Sequence, residues 1–276
     1  MKNIASEHQQ RMSYLDLPIR SFRRLGRLIL LACHDMGHAL IMAGSATLYI
    51  RTLWKPRARH ELATQLYITG IKSLGVITVV AFFTGMILAL QTGLELRRFG
   101  QEVNIGTAVT VVMIREMGPF MTGLIIAASV GSAIAAQLGT MAVSEEISAL
   151  EVMSINPNRF LVMPRLVALA IMMPILTVYT NLLGILGGGI VGSTQLGVDF
   201  YAYIDNATRY AENKDLYVGL LKAVVFGIII ATVACFQGLT TREGAVGVGR
   251  ATRQTVIISF LLILVVGYII TRLFYI

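Results

Sequence analysis

The stretch Gly131–Arg165, GSAIAAQLGTMAVSEEISALEVMSINPNRFLVMPR, sets three closely spaced carboxylates, Glu145, Glu146 and Glu151, between two long apolar runs. No Asp, Glu, Lys, Arg or His lies between Glu116 and Glu145, and none between Arg165 and Asp199. Each flank is therefore long enough to cross a hydrocarbon core, and the polar segment is a connection at one membrane face. Ser144 is expected as the N-cap of a short helix, with Glu145 and Glu146 in the first turn, where carboxylates suit the helix dipole, and Asn156-Pro157 as its stop. Val143, Ile147 and Leu150 share one face at helical spacing, leaving Glu145, Glu146, Ser148 and Glu151 toward the polar sides. The pattern predicts an amphipathic helix lying along the membrane surface; the alternative is an ordinary solvated loop with an acidic face.

With 55% hydrophobic and 14% charged residues among 276, the chain lies outside the globular range and within that of polytopic membrane proteins. Its formal charge of +8 does not point to nucleic acid, because the basic residues crowd the first sixty positions and the short loops instead of forming a stripe interleaved with aromatics. Cys33 and Cys235 sit in separate apolar segments without CxxC or Cys/His spacing, so neither a disulfide framework nor a metal site is expected. Met1–Arg27 is polar and basic with no small-residue cleavage site after a compact apolar core, so no cleavable signal peptide is expected.

Residues 1–64 read as a basic arm and an interfacial elbow helix, and residues 65–276 as a five-span domain. Arg20, Arg23, Arg24 and Arg27 stand among Leu17, Ile19, Phe22 and Leu25, a composition suited to an anionic membrane face. Leu28–Ile50 is broken by His34, Asp35 and His38 and is followed by Trp54-Lys55-Pro56-Arg57, which favours an elbow over a clean span. His34 and His38 imitate a metal pair, but no third ligand is recognisable. Ser73–Leu94 gives the first span, with Ala81, Gly85, Ala89 and Gly93 recurring every fourth residue. The second runs from Ile105 to about Met141, longer than the ~20 residues a perpendicular helix needs, with Gly118-Pro119 as the expected bend. Along it Gly123, Ala127, Gly131, Ala135 and Gly139 form a small-residue face that admits a neighbouring backbone.

Arg115 and Glu116 are the only charges inside that span. Ionisable groups at membrane depth are costly, so they pair, face a cavity or touch substrate. Two readings stand side by side: the two satisfy each other near one interface, or Arg115 meets a phosphate with Glu116 orienting it. The third span, within Leu166–Val198, carries Pro174 and a packing ridge of Gly184, Gly188 and Gly192. The G-x-G-x-x-G match at Gly187, Gly189 and Gly192 follows no strand and is rejected as a dinucleotide site. Asp199–Asp215 is expected outside, with Phe200, Tyr201, Tyr203 and Tyr210 at the interface. Its Asn206-Ala207-Thr208 sequon is read as a chance match. Ala223–Thr241 is the fourth span, Thr241–Arg253 a Gly-rich basic loop, and Gln254–Thr271 the fifth.

The run Arg115-Glu116-Met117-Gly118-Pro119, then GSAIAAQLGTM (131–141), SEEISALEVM (144–153), Asn156-Pro157 and Pro164-Arg165, closely resembles the MlaE/YrbE permease family. Phe236-Gln237-Gly238, Gly244-Ala245, Gly247-Val248-Gly249 and Ala251-Thr252-Arg253 extend the likeness, which covers roughly Gln65 to the C-terminus. These proteins are the integral-membrane subunits of MCE-associated ABC lipid transporters. The resemblance implies an all-α integral membrane fold: an N-terminal interfacial elbow helix and five transmembrane helices, with a cytoplasmic coupling helix between the second and third. It also implies substrate contacts at Arg115, Glu116 and Arg253, and ATPase coupling at Ser144, Glu145, Glu146, Leu150 and Glu151. The implied assembly holds two permease copies, two ABC ATPase subunits that bind ATP and Mg, and a periplasmic ring of MCE proteins. Its implied work is to move phospholipid between inner and outer membranes, maintaining outer-membrane lipid asymmetry. Two departures stand out: Ser129 replaces the usual arginine and Gln137 the usual glutamate.

No lysine occurs as Gly-Lys-Ser/Thr, so the chain has no Walker A loop, and hydrolysis must come from a subunit bound in trans. No cofactor or metal is expected in the chain itself. With five spans and the N-terminus inside, fifteen Lys and Arg fall inside against six outside, which puts the acidic helix in the cytoplasm and the C-terminus in the periplasm of a bacterial inner membrane. A membrane-embedded lipid enzyme is disfavoured, because all four histidines lie at or before His60 and no catalytic constellation appears in the spans. An ion-coupled secondary transporter would want repeated halves and several intramembrane acids, and only Glu116 qualifies.

Overall fold

The computed structural model describes residues 30, 34–49, 56–209 and 212–275. The Met1–Arg27 arm, Cys33, the Trp54-Lys55 anchor and Tyr210 lie outside them. Every regular element among the described residues is helical, as lipid demands: backbone groups without water must bond within their own segment. Helix α1 (34–48) precedes five long apolar helices, α2 (Arg59–Arg98), α3 (Glu102–Val143), α5 (Asn158–Thr194), α7 (Asn213–Leu239) and α8 (Gly244–Tyr275). Two short helices join them: α4 (Glu146–Val152) links α3 to α5, and α6 (Phe200–Arg209) links α5 to α7. The chain is an integral membrane protein in which successive long helices alternate in direction, with α4 at one end of the bundle and α6 at the other.

Glycines set the helix spacing. Ile77, Ala81, Gly85, Ala89 and Gly93 make the buried stripe of α2. A Cβ on Gly85 would lie 1.8 Å from the Gly184 carbonyl oxygen, so α2 and α5 touch backbone to backbone. The structure places Gly188 and Gly192 against the Tyr203 ring of α6, and Gly184 against Met113 of α3. On α3, Gly123 meets Ile263 and Phe226, Gly131 meets Ile230, and Gly139 meets Thr241 and Val248. The main core, with Ile126, Leu138, Leu169, Met173, Phe226 and Ile230, gathers around α3, α5 and α7.

The long α3 is not uniformly α-helical: Met113–Met117 and Ala127–Gly131 are π-helical turns. The first abuts Gly118-Pro119, the position expected to bend. Pro119 lacks the N–H that an α-helix would aim at the Arg115 carbonyl, and a widened turn accommodates the gap.

Five local expectations are corrected. Ser144 does not cap α4; its hydroxyl donates back to the Thr140 carbonyl at 2.8 Å, and Glu145, at φ +61°, is the N-cap. Val143 stays exposed at the end of α3, while Ile147 and Leu150 pack on the core. Helix α4 ends at Val152, and Asn156-Pro157 starts α5 instead of stopping α4: Asn156 Oδ1 accepts the Asn158 N–H at 2.9 Å. The expected Gly-rich loop is helical from Gly244, so Arg253 lies inside α8, and α7 begins at Asn213, ten residues before the expected span.

Tyr203 is also no interfacial anchor. It is fully buried, its hydroxyl donating to the Ile185 carbonyl at 3.2 Å, and burial pushes its phenol well above the ordinary tyrosine range. Thr107 Oγ1 donates to the Asn206 carbonyl and Asn206 Nδ2 to the Val103 carbonyl, which pins α6 across the mouth of α3.

Candidate functional site

The early start of α7 has a chemical consequence. It carries Asp215 and Lys222 into the bundle seven residues apart, on one helix face, with side chains 3% and 1% exposed. Arg115 and Glu116 face these two residues, not each other. The Arg115 guanidinium donates Nε to Asp215 Oδ1 at 3.1 Å and Nη2 to Asp215 Oδ2 at 3.0 Å, a fork that matches the carboxylate plane. Tyr275, near the end of α8, donates its hydroxyl to Asp215 and lies under the guanidinium with its ring centroid 4.0 Å from Cζ.

Lys222 Nζ reaches Glu116 Oε1 at 2.6 Å, Thr271 Oγ1 at 2.7 Å and the Arg115 carbonyl at 2.9 Å. The last is the carbonyl that Pro119 leaves without an α-helical donor. Thr271 in turn donates to Glu116 Oε1. Three helices thus meet in a neutral four-charge network held by two hydroxyls one turn apart on α8. Arg115 and Glu116 remain 33% and 40% exposed, so the network has a wet or ligand-facing side. Asp215, Lys222, Thr271 and Tyr275 were not anticipated. The available signal was the apolar run Leu216–Leu221 between Asp215 and Lys222, which reads as helix and not as an external segment.

Arg253 does not join this group. It is exposed on α8, eighteen residues before Thr271, about 27 Å along the helix. At the opposite end of the bundle, Glu145, Glu146, Ser148 and Glu151 are exposed, and none of these carboxylates has a salt bridge among the described residues. Beneath α4, Ile147, Glu151, Ser154, Asn158 and Leu239 line a cleft of about 510 Å³. Glu116 lies twenty-seven residues before Val143, the last residue of α3, about 40 Å along the helix, so the bundle carries the four-charge network near one end and the acidic α4 at the other.

Gln137 acquires a partner as well. Arg165 is 2% exposed, and its Nη2 donates to Gln137 Oε1 at 3.0 Å while Nη1 donates to the Leu161 carbonyl at 2.6 Å. A glutamine therefore supplies the acceptor that the resemblance would have supplied as a carboxylate. Ser129 is exposed and donates to the Ile125 carbonyl. On α1, His34 and His38 are 3.2 Å apart with Asp35 beside His34, but no group of three such ligands converges among the described residues.

The arrangement has named relatives. A probable ABC transporter permease protein of Rickettsia prowazekii is 42% identical over 211 residues, covering 76% of this chain and 82% of its own length. The intermembrane phospholipid transport system permease protein MlaE of Haemophilus influenzae is 33% identical over 247 residues, or 87% of this chain and 94% of that protein. The TRIGALACTOSYLDIACYLGLYCEROL 1 protein of Arabidopsis thaliana chloroplasts is 34% identical over 211 residues. The family model described as Permease MlaE matches residues 62–273, through all five spans and both ends of the bundle, and the chain belongs to the MlaE permease family.

Proposed function

We propose that the chain is the transmembrane permease of an ABC transporter that moves phospholipid between the inner and outer membranes of a bacterium. The observation that carries this reading is the coexistence, on one bundle, of a partly exposed intramembrane charge network and a distant acidic surface helix whose carboxylates form no salt bridge among the described residues. The first end suits an amphiphile whose head is charged and whose tails are not. The second suits a basic or hydrogen-bonding surface on a separate ATPase, with Glu145, Glu146 and Glu151 as the contact and Leu150 anchoring the helix to the core. The Haemophilus influenzae relative, named for intermembrane phospholipid transport, supports the substrate class.

In this reading α4 lies in the cytoplasm, the Arg115–Asp215 network lies toward the periplasm, and ATP and Mg bind only to the partner. Arg165 and Lys222 are buried and drop out of the charge count, which keeps its sign. The assembly has two copies of this chain, with a periplasmic ring of MCE proteins above them. Residues 1–64 serve as membrane-surface elbow and residues 65–276 as the transporting unit.

Native mass spectrometry of the detergent-extracted assembly tests this. The expected species contains two permease copies, an ATPase and bound phospholipid, and Arg115→Ala lowers the lipid signal several-fold. A chain that retains neither lipid nor an ATPase would overturn the proposal.

A further inference from the structure

A crevice of about 260 Å³ opens between α8 and the pair α3 and α7. Its walls are Phe120, Phe226, Ile263, Leu264, Gly267 and Tyr268, and its polar end is Glu116 with Thr271. Leu264 and Tyr268 form an exposed rim, 43% and 66% accessible, so the crevice faces sideways, where spanning helices meet hydrocarbon.

An ammonium has three N–H donors, and Lys222 spends all three on the Arg115 carbonyl, Glu116 Oε1 and Thr271 Oγ1. A phosphate finds no donor there. Glu116 is the converse case. Oε1 accepts from both Lys222 and Thr271, whereas Oε2 accepts nothing among the described residues, although the side chain lines the crevice. A carboxylate oxygen beside an apolar wall calls for an N–H or O–H donor. Arg115, by contrast, uses only two of its five N–H donors on Asp215 and is one-third exposed. Arg115 and Glu116 meet Tyr275 and Thr271, one turn apart on the same face of α8.

We infer that this crevice holds one acyl chain of a phospholipid bearing a primary ammonium headgroup. Its phosphate meets the free edge of Arg115, and its ammonium donates to Glu116 Oε2. The inference rests on the phospholipid-permease reading and adds the headgroup class to it. A choline headgroup keeps the charge and the phosphate but has no N–H to give, and a glycerol headgroup has hydroxyl donors but no positive charge.

The test is lipid retention by the full-length chain, reconstituted in nanodiscs and released for native mass spectrometry. The probes are phosphatidylethanolamine, its mono-, di- and trimethylated forms, and phosphatidylglycerol, all with the same acyl chains. Retention is expected to fall stepwise with N-methylation, by about tenfold from ethanolamine to choline, the weight of one charge-assisted hydrogen bond. Phosphatidylglycerol is expected below the ethanolamine lipid. Glu116→Gln should flatten the series, and Leu264→Trp, which narrows the crevice, should lower every lipid while keeping the ratios.

Equal retention of the ethanolamine lipid and either the choline or the glycerol lipid would overturn the headgroup assignment and leave the permease reading standing. Unchanged retention in Leu264→Trp would overturn the crevice. No retention of any lipid would remove both the inference and the reading beneath it.

Discussion

Lys222 shows how one residue can bind three helices. Its ammonium is 1% exposed, yet each of its donors is used, and one of them replaces the helical hydrogen bond that Pro119 denies to Arg115. Lys222→Met keeps the length and removes the charge, leaving Glu116 held by Thr271 alone and the Arg115 carbonyl without Nζ. Loss of one partner of a buried pair costs about 3–5 kcal/mol, reduced here to about 2–3 because Glu116 is 40% exposed. The thermal midpoint in detergent should drop by several degrees, and adding Glu116→Gln should recover a good part of the loss, because no unpaired carboxylate then remains. A midpoint that stays at the wild-type value in Lys222→Met would show that the lysine is not a structural tie. Arg165 raises a similar demand in the core and meets part of it with neutral acceptors, the Gln137 amide and the Leu161 carbonyl, while its buried Nε has no partner among the described residues.

Among the elements, the α2–α5 contact is set by glycine and not by large side chains, in keeping with membrane packing, where lipid competes as a solvent for every apolar group. Gly85→Ala would drive a methyl to 1.8 Å from the Gly184 carbonyl oxygen and force the helices apart, at a cost of about 1–3 kcal/mol. Gly75→Ala, on the same helix with nothing within 4 Å of its Cβ, should be neutral or stabilising by up to about 1 kcal/mol through helix propensity. Comparing the two midpoints in detergent separates packing from propensity, and equal effects would refute the contact. The short α4 makes a different prediction. Reversing Glu145, Glu146 and Glu151 to lysine leaves Ile147 and Leu150 on the core, so the permease should still fold and reach the membrane while ATPase co-purification falls at least tenfold. Undiminished co-purification would move the docking surface elsewhere.

At the scale of the molecule, the two chemically distinct ends are about 40 Å apart along α3, so any coupling between them must pass through rigid helices. The first requirement is that the ends lie on opposite sides of the membrane. In a Cys33→Ser background, with Cys235 buried, single cysteines at Glu146 and Tyr201 should differ in their reaction with a membrane-impermeant maleimide on intact spheroplasts. Tyr201→Cys should label and Glu146→Cys should label only after lysis; the reverse pattern would invert the topology and remove the proposed ATPase site.

Much was legible in the chain because membranes impose blunt rules. Uncharged runs longer than a bilayer is thick had to be helices, four-residue repeats of glycine and alanine had to be contact faces, and three carboxylates between two spans had to lie at a surface. Helix limits and charge partners were not, because each is decided across the bundle. Asp215 and Lys222 look like interfacial charges in sequence, and only the placement of α7 against α3 and α8 makes them intramembrane counter-ions. Gly244–Arg253 looks like a loop, yet in the fold it is the first part of α8, with Gly247 set against the Arg242 carbonyl of the preceding turn and Ala251 buried. The sequence by itself determined that this is a five-span helical membrane protein with an acidic turn between its second and third spans, since hydrocarbon tolerates no unpaired backbone and few charges. Which charges neutralise one another, and which carboxylate oxygen is left to face a crevice, was decided only by tertiary structure, because pairing depends on distances between residues a hundred positions apart.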